Sequence, residues 1–497
     1  MTNPQAIVST AGMRAAEQAY FARGHDSFVL MQAAGAAVAA SIIRDHPGRD
    51  RAVLVLCGPG NNGGDGFIVA DLLRAAGYAV TVAACRPVDA YQGDAAKAAR
   101  LWAATGAVLP LDRAALSSAA LAPAIIVDAL FGIGLDRPLT GEIAAAIDWA
   151  NGTGAAIVAV DIASGVNADD GSVLGTAIQA GHTITFGWPK PGHLLLPGKA
   201  RCGRLEVAPI GLERDLLPAD HTLCQNDPGL WLEALPEPGL LDHKYSRGHA
   251  LVIGSSDMPG AGRLASLAAR RIGAGMLSVA APAAILPLFM ADQPGIIARP
   301  AGRAEDLVEI LMDRRISGVL VGSGLVPHAA SREAVLTALA AGRPAVVDGG
   351  GLTAFADRPE DLFTSGRGDV VLTPHEGEFA RLFPELAAGT GSKLDRVRKA
   401  ARRARAVVVL KGADTVVGAP DGRIAINPEA SPYLATAGLG DVLAGLILGL
   451  LVQGMPAYLA AAAAIWLHAQ AGLNLGAGLI AEDLAGEIPA LLRRLGR

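Results

Sequence analysis

The chain has 497 residues, 51% of them hydrophobic and only 18% charged, with 61 glycines and a formal net charge of −5. That length predicts two or three domains, each with its own core, and the composition excludes a disordered chain. The acidic balance and the lack of any Lys/Arg-rich run argue against nucleic acid as a partner.

In chain order, helices are predicted over 13–23 and 28–44, before any strand. Residues 52–57 form a continuous apolar run of the kind that a doubly covered parallel strand requires. A glycine-rich loop follows, then a helix over 67–76. Further strands are predicted at 80–85, 125–130, 156–161, 182–186 and 203–209, with helical segments between most of them. This alternation predicts a Rossmann-like three-layer α/β domain over 1–215. Prolines at 218, 228, 236 and 238 mark 216–242 as a linker. A second α/β domain is predicted over 243–497. Its strands fall at 250–253, 276–280, 318–321, 345–348, 369–373 and 406–410, followed by a hairpin of 416–418 and 423–427.

Residues 442–467 carry no charge, but Gln453-Gly454-Met455-Pro456 leaves two runs, each too short to span a bilayer. Gly445 and Gly449 suit either a membrane dimerisation face or close packing inside a core, and buried core helices are the expectation. Cys57, Cys85, Cys202 and Cys224 are far apart with no CxxC spacing, so reduced thiols are expected rather than a disulfide framework or zinc site. Met1-Thr2-Asn3-Pro4-Gln5 offers neither the basic nor the apolar region of a signal peptide, and a cytoplasmic protein is expected. Apolar faces within 28–43 suggest a homo-oligomer.

Gly58-Pro59-Gly60-Asn61-Asn62-Gly63 matches G-x-G-x-x-G between a strand and a helix. The acidic ribose reader expected about 20 residues on is missing, since the second strand ends Ala83-Ala84-Cys85-Arg86. A nicotinamide-dependent dehydrogenase is therefore a poor fit. Asn61-Asn62-Gly63-Gly64-Asp65-Gly66 instead puts two amides and a carboxylate on a slim loop. Asp128, Asp161 and Ser164 stand at predicted strand ends, where parallel sheets form ligand crevices. Asn, Asp and Ser oxygens suit a hard alkali or alkaline-earth cation; the alternative is that each aspartate orders a turn or caps a helix.

Asn-Asn-Gly-Gly-Asp-Gly, Asp128-Ala-Leu-Phe-Gly-Ile-Gly-Leu135 and Asp161-Ile-Ala-Ser-Gly165 resemble the NAD(P)H-hydrate epimerase domain. The resemblance implies a Rossmann-like domain that takes hydrated NADH or NADPH and potassium. The implied substrate contacts are Asn61, Asn62, Gly63, Gly64, Asp65, Gly132, Ile133, Gly134, Leu135, Asp136, Arg137, Pro138 and Asp161. The implied potassium ligands are Asn62, Asp128 and Ser164, with Asp161 as acid/base. Ala163 replaces a proline common in the motif, and Gln32 a frequent Glu.

No Walker A sequence occurs. Phosphate must then be held at Ala435-Thr436-Ala437-Gly438-Leu439-Gly440-Asp441, where two glycines precede an apolar helix. The unpaired amides of a helix start attract anions, and Asp441 stands beside them, either as a cap or as a proton acceptor. Lys411-Gly412-Ala413-Asp414-Thr415, Thr373-Pro374-His375-Glu376 and Gly322-Ser323-Gly324 each follow a predicted strand. Together with Pro259-Gly260-Ala261-Gly262, these resemble the ribokinase-like NAD(P)H-hydrate dehydratase domain. The resemblance implies substrate contacts at Ala261, Gly324, His375 and Asp441. It implies nucleotide contacts at Lys411, Gly412, Ala413, Asp414, Thr415, Gly438 and Gly440, with ADP as co-substrate and Mg2+. Two departures stand out: Asp348-Gly349-Gly350-Gly351 replaces the common Asp-Ala-Asp-Ala, and Leu439 a common threonine. The expected function is epimerisation of NAD(P)H hydrates followed by nucleotide-dependent dehydration. The alternative is a small-molecule kinase of ribokinase type fused to a nucleotide-binding domain.

Overall fold

The structure is a computed structural model that describes residues 5–117, 122–366 and 369–497. Met1, Thr2, Asn3 and Pro4, read above for a leader, lie outside them. The chain divides into two compact units, residues 6–221 and residues 222–497 with Gln5.

In the first unit the strands are β1 (Ala52–Cys57), β2 (Ala79–Ala84), β3 (Val108–Pro110), β4 (Ile125–Ala129), β5 (Ala156–Val160), β6 (His182–Phe186) and β7 (Arg204–Ala208). They form one parallel sheet in the order β3-β2-β1-β4-β5-β6-β7. The order reverses between β1 and β4, which opens a crevice beyond their carboxyl ends. Alternate residues of the apolar strands feed two cores on opposite faces, one around Val55, Val127 and Phe67, the other around Leu54, Ile126 and Ile147.

The stretch expected as a loop, Asn61 to Gly66, is helical: the helix runs Asn61–Ala75. Glycine disfavours a helix intrinsically, but packing reverses that here. A Cβ at Gly63 would lie 2.0 Å from the Gly58 carbonyl oxygen, and one at Gly64 2.7 Å from Met31 Cε. Only a bare backbone lets this helix begin so close to the β1 loop. The helix Ser27–Asp45 is long and apolar enough, by length and composition, to cross a membrane. In the fold, Leu30, Met31, Ala34, Val38, Ala39 and Ile42 pack into the core. These residues of the face expected to pair subunits pack inside this unit, largely against the helix Asn61–Ala75.

In the second unit, β8 (Leu223–Gln225), β9 (His249–Ile253), β10 (Met276–Ala281), β11 (Ile297–Pro300), β12 (Gly318–Val321), β13 (Ala345–Val347), β14 (Val370–Leu372), β15 (Val407–Leu410), β16 (Val416–Gly418) and β17 (Ile424–Ile426) form one sheet. The order is β11-β10-β9-β12-β13-β14-β15-β16-β17-β8. The expected hairpin is present as antiparallel β16 and β17. The predicted linker is not free chain. Leu223–Gln225 pairs in parallel with Ile424–Ile426, and Pro228–Trp231 is helical, with Trp231 buried. Its prolines sit at a helix start and between short elements, where a missing N–H costs nothing.

Leu439–Val452 and Ala457–Leu475 are separate helices, apolar all round and buried in the main core. Gly445 and Gly449 serve close packing. A Cβ at Gly445 would meet the Ala265 carbonyl oxygen at 2.2 Å, and one at Gly449 Ile272 Cγ2 at 2.2 Å. Both contacts belong to the Pro259–Arg271 helix and its end.

Two candidate active sites

In the first unit, the β1–β4 switch point gathers Asn61, Asp65, Ile133 and Asp161 around a cleft of about 140 Å³, together with Glu17 and Lys190. Asp161 follows β5 with a left-handed backbone, φ +65°, uncommon for a residue with a side chain. Its N–H donates to Ile184 O at 2.8 Å. His193 holds the other side: Lys190 N donates to His193 Nδ1 at 2.9 Å, which leaves Nε2–H to donate to Asp161 O at 2.8 Å. Burial, then the Lys190 charge, pulls the His193 pKa down to about 4, so the ring stays neutral.

The Asp161 carboxylate meets Lys190 Nζ at 2.7 Å and Thr185 Oγ1 at 3.0 Å, both through Oδ1, and Ile133 N at 3.3 Å through Oδ2. Burial works to raise its pKa, but the Lys190 ammonium overrides it and holds the carboxyl below its ordinary value. Asp65 and Glu17 move the other way. Burial, followed by the Asp161 charge, raises both, Asp65 well above its ordinary value.

Asp128 is fully buried at the end of β4. Its Oδ1 accepts from Ser164 Oγ at 2.6 Å and Leu130 N at 3.2 Å, and its Oδ2 from Ser164 N at 2.8 Å. Ser164 Oγ in turn accepts from Phe131 N at 2.8 Å. Burial pushes the Asp128 pKa up to about 6 against these bonds. Asn62 lies close by, since a Cβ at Gly132 would touch both Asp161 Oδ2 and Asn62 Oδ1. Gly63 and Gly64 are buried packing positions, whereas Gly134, Asp136, Arg137 and Pro138 are exposed and Leu135 is buried.

In the second unit, a cavity of about 490 Å³ is lined by His375, Lys411, Gly412, Ala413, Thr415, Gly440 and His468, among others. His375 and Lys411 bridge in parallel beyond β14 and β15, which brings two distant motifs side by side. His375 caps the helix Glu376–Leu382, accepting from Gly377 N at 3.0 Å, while Glu378 Oε2 accepts from His375 N at 2.9 Å. Asp414 is buried and held by Lys393, whose Nζ donates to its Oδ1 at 2.6 Å and its O at 3.0 Å.

Gly438 starts the Leu439–Val452 helix from a left-handed conformation, φ +87°, and no side chain caps that start. Asp441 is therefore not the cap. It lies among Ser323, Asp348 and Lys411, and burial followed by the Asp348 charge pushes its pKa up to about 6. Lys411 Nζ sits 2.9 Å from Asp348 Oδ1 and 3.9 Å from Glu378 Oε2. Burial would lower its pKa, but those two carboxylates raise it, and it stays an ammonium. Asp348 Oδ1 also accepts from Thr373 Oγ1 at 2.6 Å. The side chain of Leu439 is buried, and its carbonyl accepts from His468 Nε2 at 3.1 Å. Gly324 touches Ala261: a Cβ there would lie 3.1 Å from Ala261 Cβ. At Gly350 a Cβ would strike the Leu325 carbonyl oxygen at 1.7 Å, so the second acidic group of the common pattern has no room in this backbone.

Lys190, Thr185, Glu17, Lys393 and His468 were not singled out from sequence. Lys190 had a readable signal, one charge in the apolar run Trp188-Pro189-Lys190-Pro191 just past a strand end. Glu17 and Lys393 had none, because helical glutamates and lysines are usually solvated, and Thr185 and His468 had none, because a threonine in a strand and a lone histidine in an apolar helix are usually structural.

The two units define a class. A Rossmann-like sheet with a lysine-paired carboxylate at its switch point is joined to a ribokinase-like sheet with an uncapped helix start and a buried carboxyl of raised pKa, a pairing that fits a two-domain enzyme of nucleotide chemistry. Residues 27–192 match the family described as YjeF-related protein N-terminus, and residues 249–489 the family described as NAD(P)H-hydrate dehydratase. A bifunctional NAD(P)H-hydrate repair enzyme Nnr from Thermosynechococcus vestitus is 38% identical, with 98% of each chain covered. One from Moorella thermoacetica is 37% identical over 94% of this chain and 93% of its own. Among solved structures, the ADP/ATP-dependent NAD(P)H-hydrate dehydratase of Bacillus subtilis, co-crystallised with ATP and Mg2+, is 31% identical, covering 52% of this chain and 94% of its own with a TM-score of 0.47. The chain belongs to the family of bifunctional NAD(P)H-hydrate repair enzymes.

Proposed function

We propose that residues 1–215 epimerise (R)- and (S)-NAD(P)H hydrate and that residues 243–497 dehydrate the S epimer with ADP, giving NAD(P)H, AMP and phosphate. The observation that carries this reading is Asp441: a carboxyl with a pKa of about 6, in the first turn of an uncapped helix and near the Lys411 ammonium, next in sequence to Gly440, which with Lys411 lines a cavity of about 490 Å³. A base poised near neutrality suits removal of a hydroxyl proton.

In the epimerase, the lone pair of the ring nitrogen expels the C6 hydroxyl, which leaves as water after taking a proton. Water then adds to the other face of the ring iminium and gives a proton to Asp161. In the dehydratase, the hydroxyl of the S epimer attacks the terminal phosphoryl group of ADP, the bond from that phosphorus to the bridging oxygen breaks as AMP leaves, and the hydroxyl proton passes to Asp441. The amides of Gly438, Leu439 and Gly440 hold the developing charge. The ring nitrogen then expels phosphate, and as the departing phosphate takes a C5 proton the C5–H pair closes the C5=C6 double bond and the C6=N1 pair returns to nitrogen.

Asn62, Asp128 and Ser164 fit potassium. Asp128 is buried with only dipolar partners, so a monovalent cation would supply its missing charge. Asn62 Nδ2 is buried without a hydrogen-bond partner, and turning the amide over presents oxygen there. In the dehydratase, the described residues hold no cluster of three His, Cys, Asp or Glu side chains. They fit a magnesium ion carried on nucleotide phosphates beside Asp348 and Glu378, where it would neutralise phosphate charge. A cytoplasmic setting, with Cys57, Cys85, Cys202 and Cys224 as reduced thiols, goes with this reading.

The test incubates a mixture of hydrated NADH epimers with the protein plus ADP or ATP and follows the return of NADH absorbance. Full consumption of both epimers, faster than spontaneous epimerisation, is expected. No recovery with either nucleotide overturns the reading, and a stable phosphorylated product instead of free phosphate identifies a simple kinase.

A further inference from the structure

Lys190 is 1% exposed, and its ammonium has three acceptors for its three N–H bonds: Asp161 Oδ1 at 2.7 Å, Thr185 Oγ1 at 2.7 Å and Phe186 O at 3.3 Å. No N–H of Lys190 is left over for a ligand. Thr185 accepts from Lys190 and so directs its own hydrogen to Asp161 Oδ1, at 3.0 Å. One carboxylate oxygen is thereby occupied twice from behind. The other, Oδ2, among the described residues accepts only from the Ile133 amide, at 3.3 Å, and lies against Gly132, where a Cβ would come within 2.9 Å of it. The Lys190 backbone completes the hold: through His193 it fastens the carbonyl of the left-handed Asp161.

We propose, building on the epimerase reading above, that Lys190 is the positioning residue of that centre: it occupies Asp161 Oδ1 so that Oδ2 alone faces the substrate ring, as an ionised proton acceptor. The other titratable groups that face Asp161 are Glu17, Asp65 and His193, with Arg14 acting on Glu17. Asp65 and Glu17 are raised by burial and by Asp161 itself, so the cleft holds one ionised carboxylate beside two carboxyls that retain protons more readily. The proton balance follows. As the C6–O bond breaks, its electron pair leaves with the hydroxyl, which takes a proton from Glu17 or Asp65 and departs as water, while the ring nitrogen lone pair forms C6=N1. Water re-adds through an oxygen lone pair, the C=N pair returns to nitrogen, and the released proton passes to Asp161 Oδ2 and from there back to Glu17 or Asp65, which restores the starting protonation. Without Lys190 the buried carboxylate would hold its proton and rotate.

The test uses the full chain and compares parent, Lys190→Met and Thr185→Val in epimerisation of hydrated NADH across pH, with circular dichroism as the check on folding. Lys190→Met should lower kcat about 100-fold with KM within threefold. It should also move the acid limb of kcat/KM upward by more than one pH unit. Thr185→Val, which buries no unpaired charge, should shift the same limb less and in the same direction. Dehydration of pure S epimer should stay at the parent rate in both. A folded Lys190→Met with an unmoved acid limb overturns the proposal, as does an unmoved limb in Thr185→Val if Lys190→Met does not fold. A parent chain that does not interconvert the epimers overturns the epimerase reading itself.

Discussion

The two sites place an aspartate at the carboxyl edge of a parallel sheet and give it opposite character. Asp161 lies 2.7 Å from a buried lysine and is held below its ordinary pKa. Asp441 also has a lysine in its site, but Lys411 is engaged by Asp348 at 2.9 Å, and Asp348 adds its own charge against Asp441, whose pKa rises to about 6. Burial is common to both. The lysine's first partner decides the outcome. A carboxylate that must stay ionised beside a ring cation gains from direct pairing, whereas a base that must take a hydroxyl proton gains from a pKa near neutrality. Backbone placement differs too. Asp161 itself takes the left-handed conformation, whereas at the second site Gly438 takes it and Asp441 follows in the first helical turn.

The sharpest way to break this comparison is to remove one carboxylate only. Asp441→Asn should cut dehydration about 1,000-fold while epimerisation continues, read as loss of NADH recovery with continued interconversion of the two hydrates. If dehydration persists at the parent rate, Asp441 is not the base. Acid should separate the sites next. Asp441 must be unprotonated to act, so dehydration should fall about tenfold per pH unit below pH 6, measured as kcat/KM on pure S epimer. Epimerisation should hold its rate to lower pH, because Asp161 remains ionised there. Stability runs the opposite way. A raised carboxyl favours the fold most below its unfolded pKa, and that contribution is lost as pH rises through about 6. The smallest effect concerns Lys393, which pairs with Asp414 in the loop proposed above to bind the nucleotide. Lys393→Met should raise the KM for ADP about tenfold, roughly 1.4 kcal/mol, with kcat and the KM for hydrate nearly unchanged. An equal fall in kcat would place Lys393 in the chemistry instead.

Much of this was legible beforehand for a local reason. Runs such as Val53-Leu54-Val55-Leu56 and Val407-Val408-Val409-Leu410 have no polar face, and only a doubly covered parallel strand accommodates them. Three short strands escaped, because Val108–Pro110, Leu223–Gln225 and Ile297–Pro300 each end in a proline or a polar residue and lack the unbroken apolar run that marks the equally short Ala345–Val347 and Val370–Leu372. The helix at Asn61 escaped because close approach to Gly58 outweighs glycine's poor propensity, and a propensity reading sees only the second.

By itself, then, the sequence determined the two α/β units, the motifs at their strand ends and, through those motifs, the family. It could do so because apolar runs and glycine turns act over a few residues. The tertiary structure alone decided the protonation of the sites. Lys190 reaches Asp161 across 29 positions, and Lys411 reaches Asp348 across 63. A pKa depends on burial and on the nearest charge, and both are properties of folded distance rather than of order along the chain.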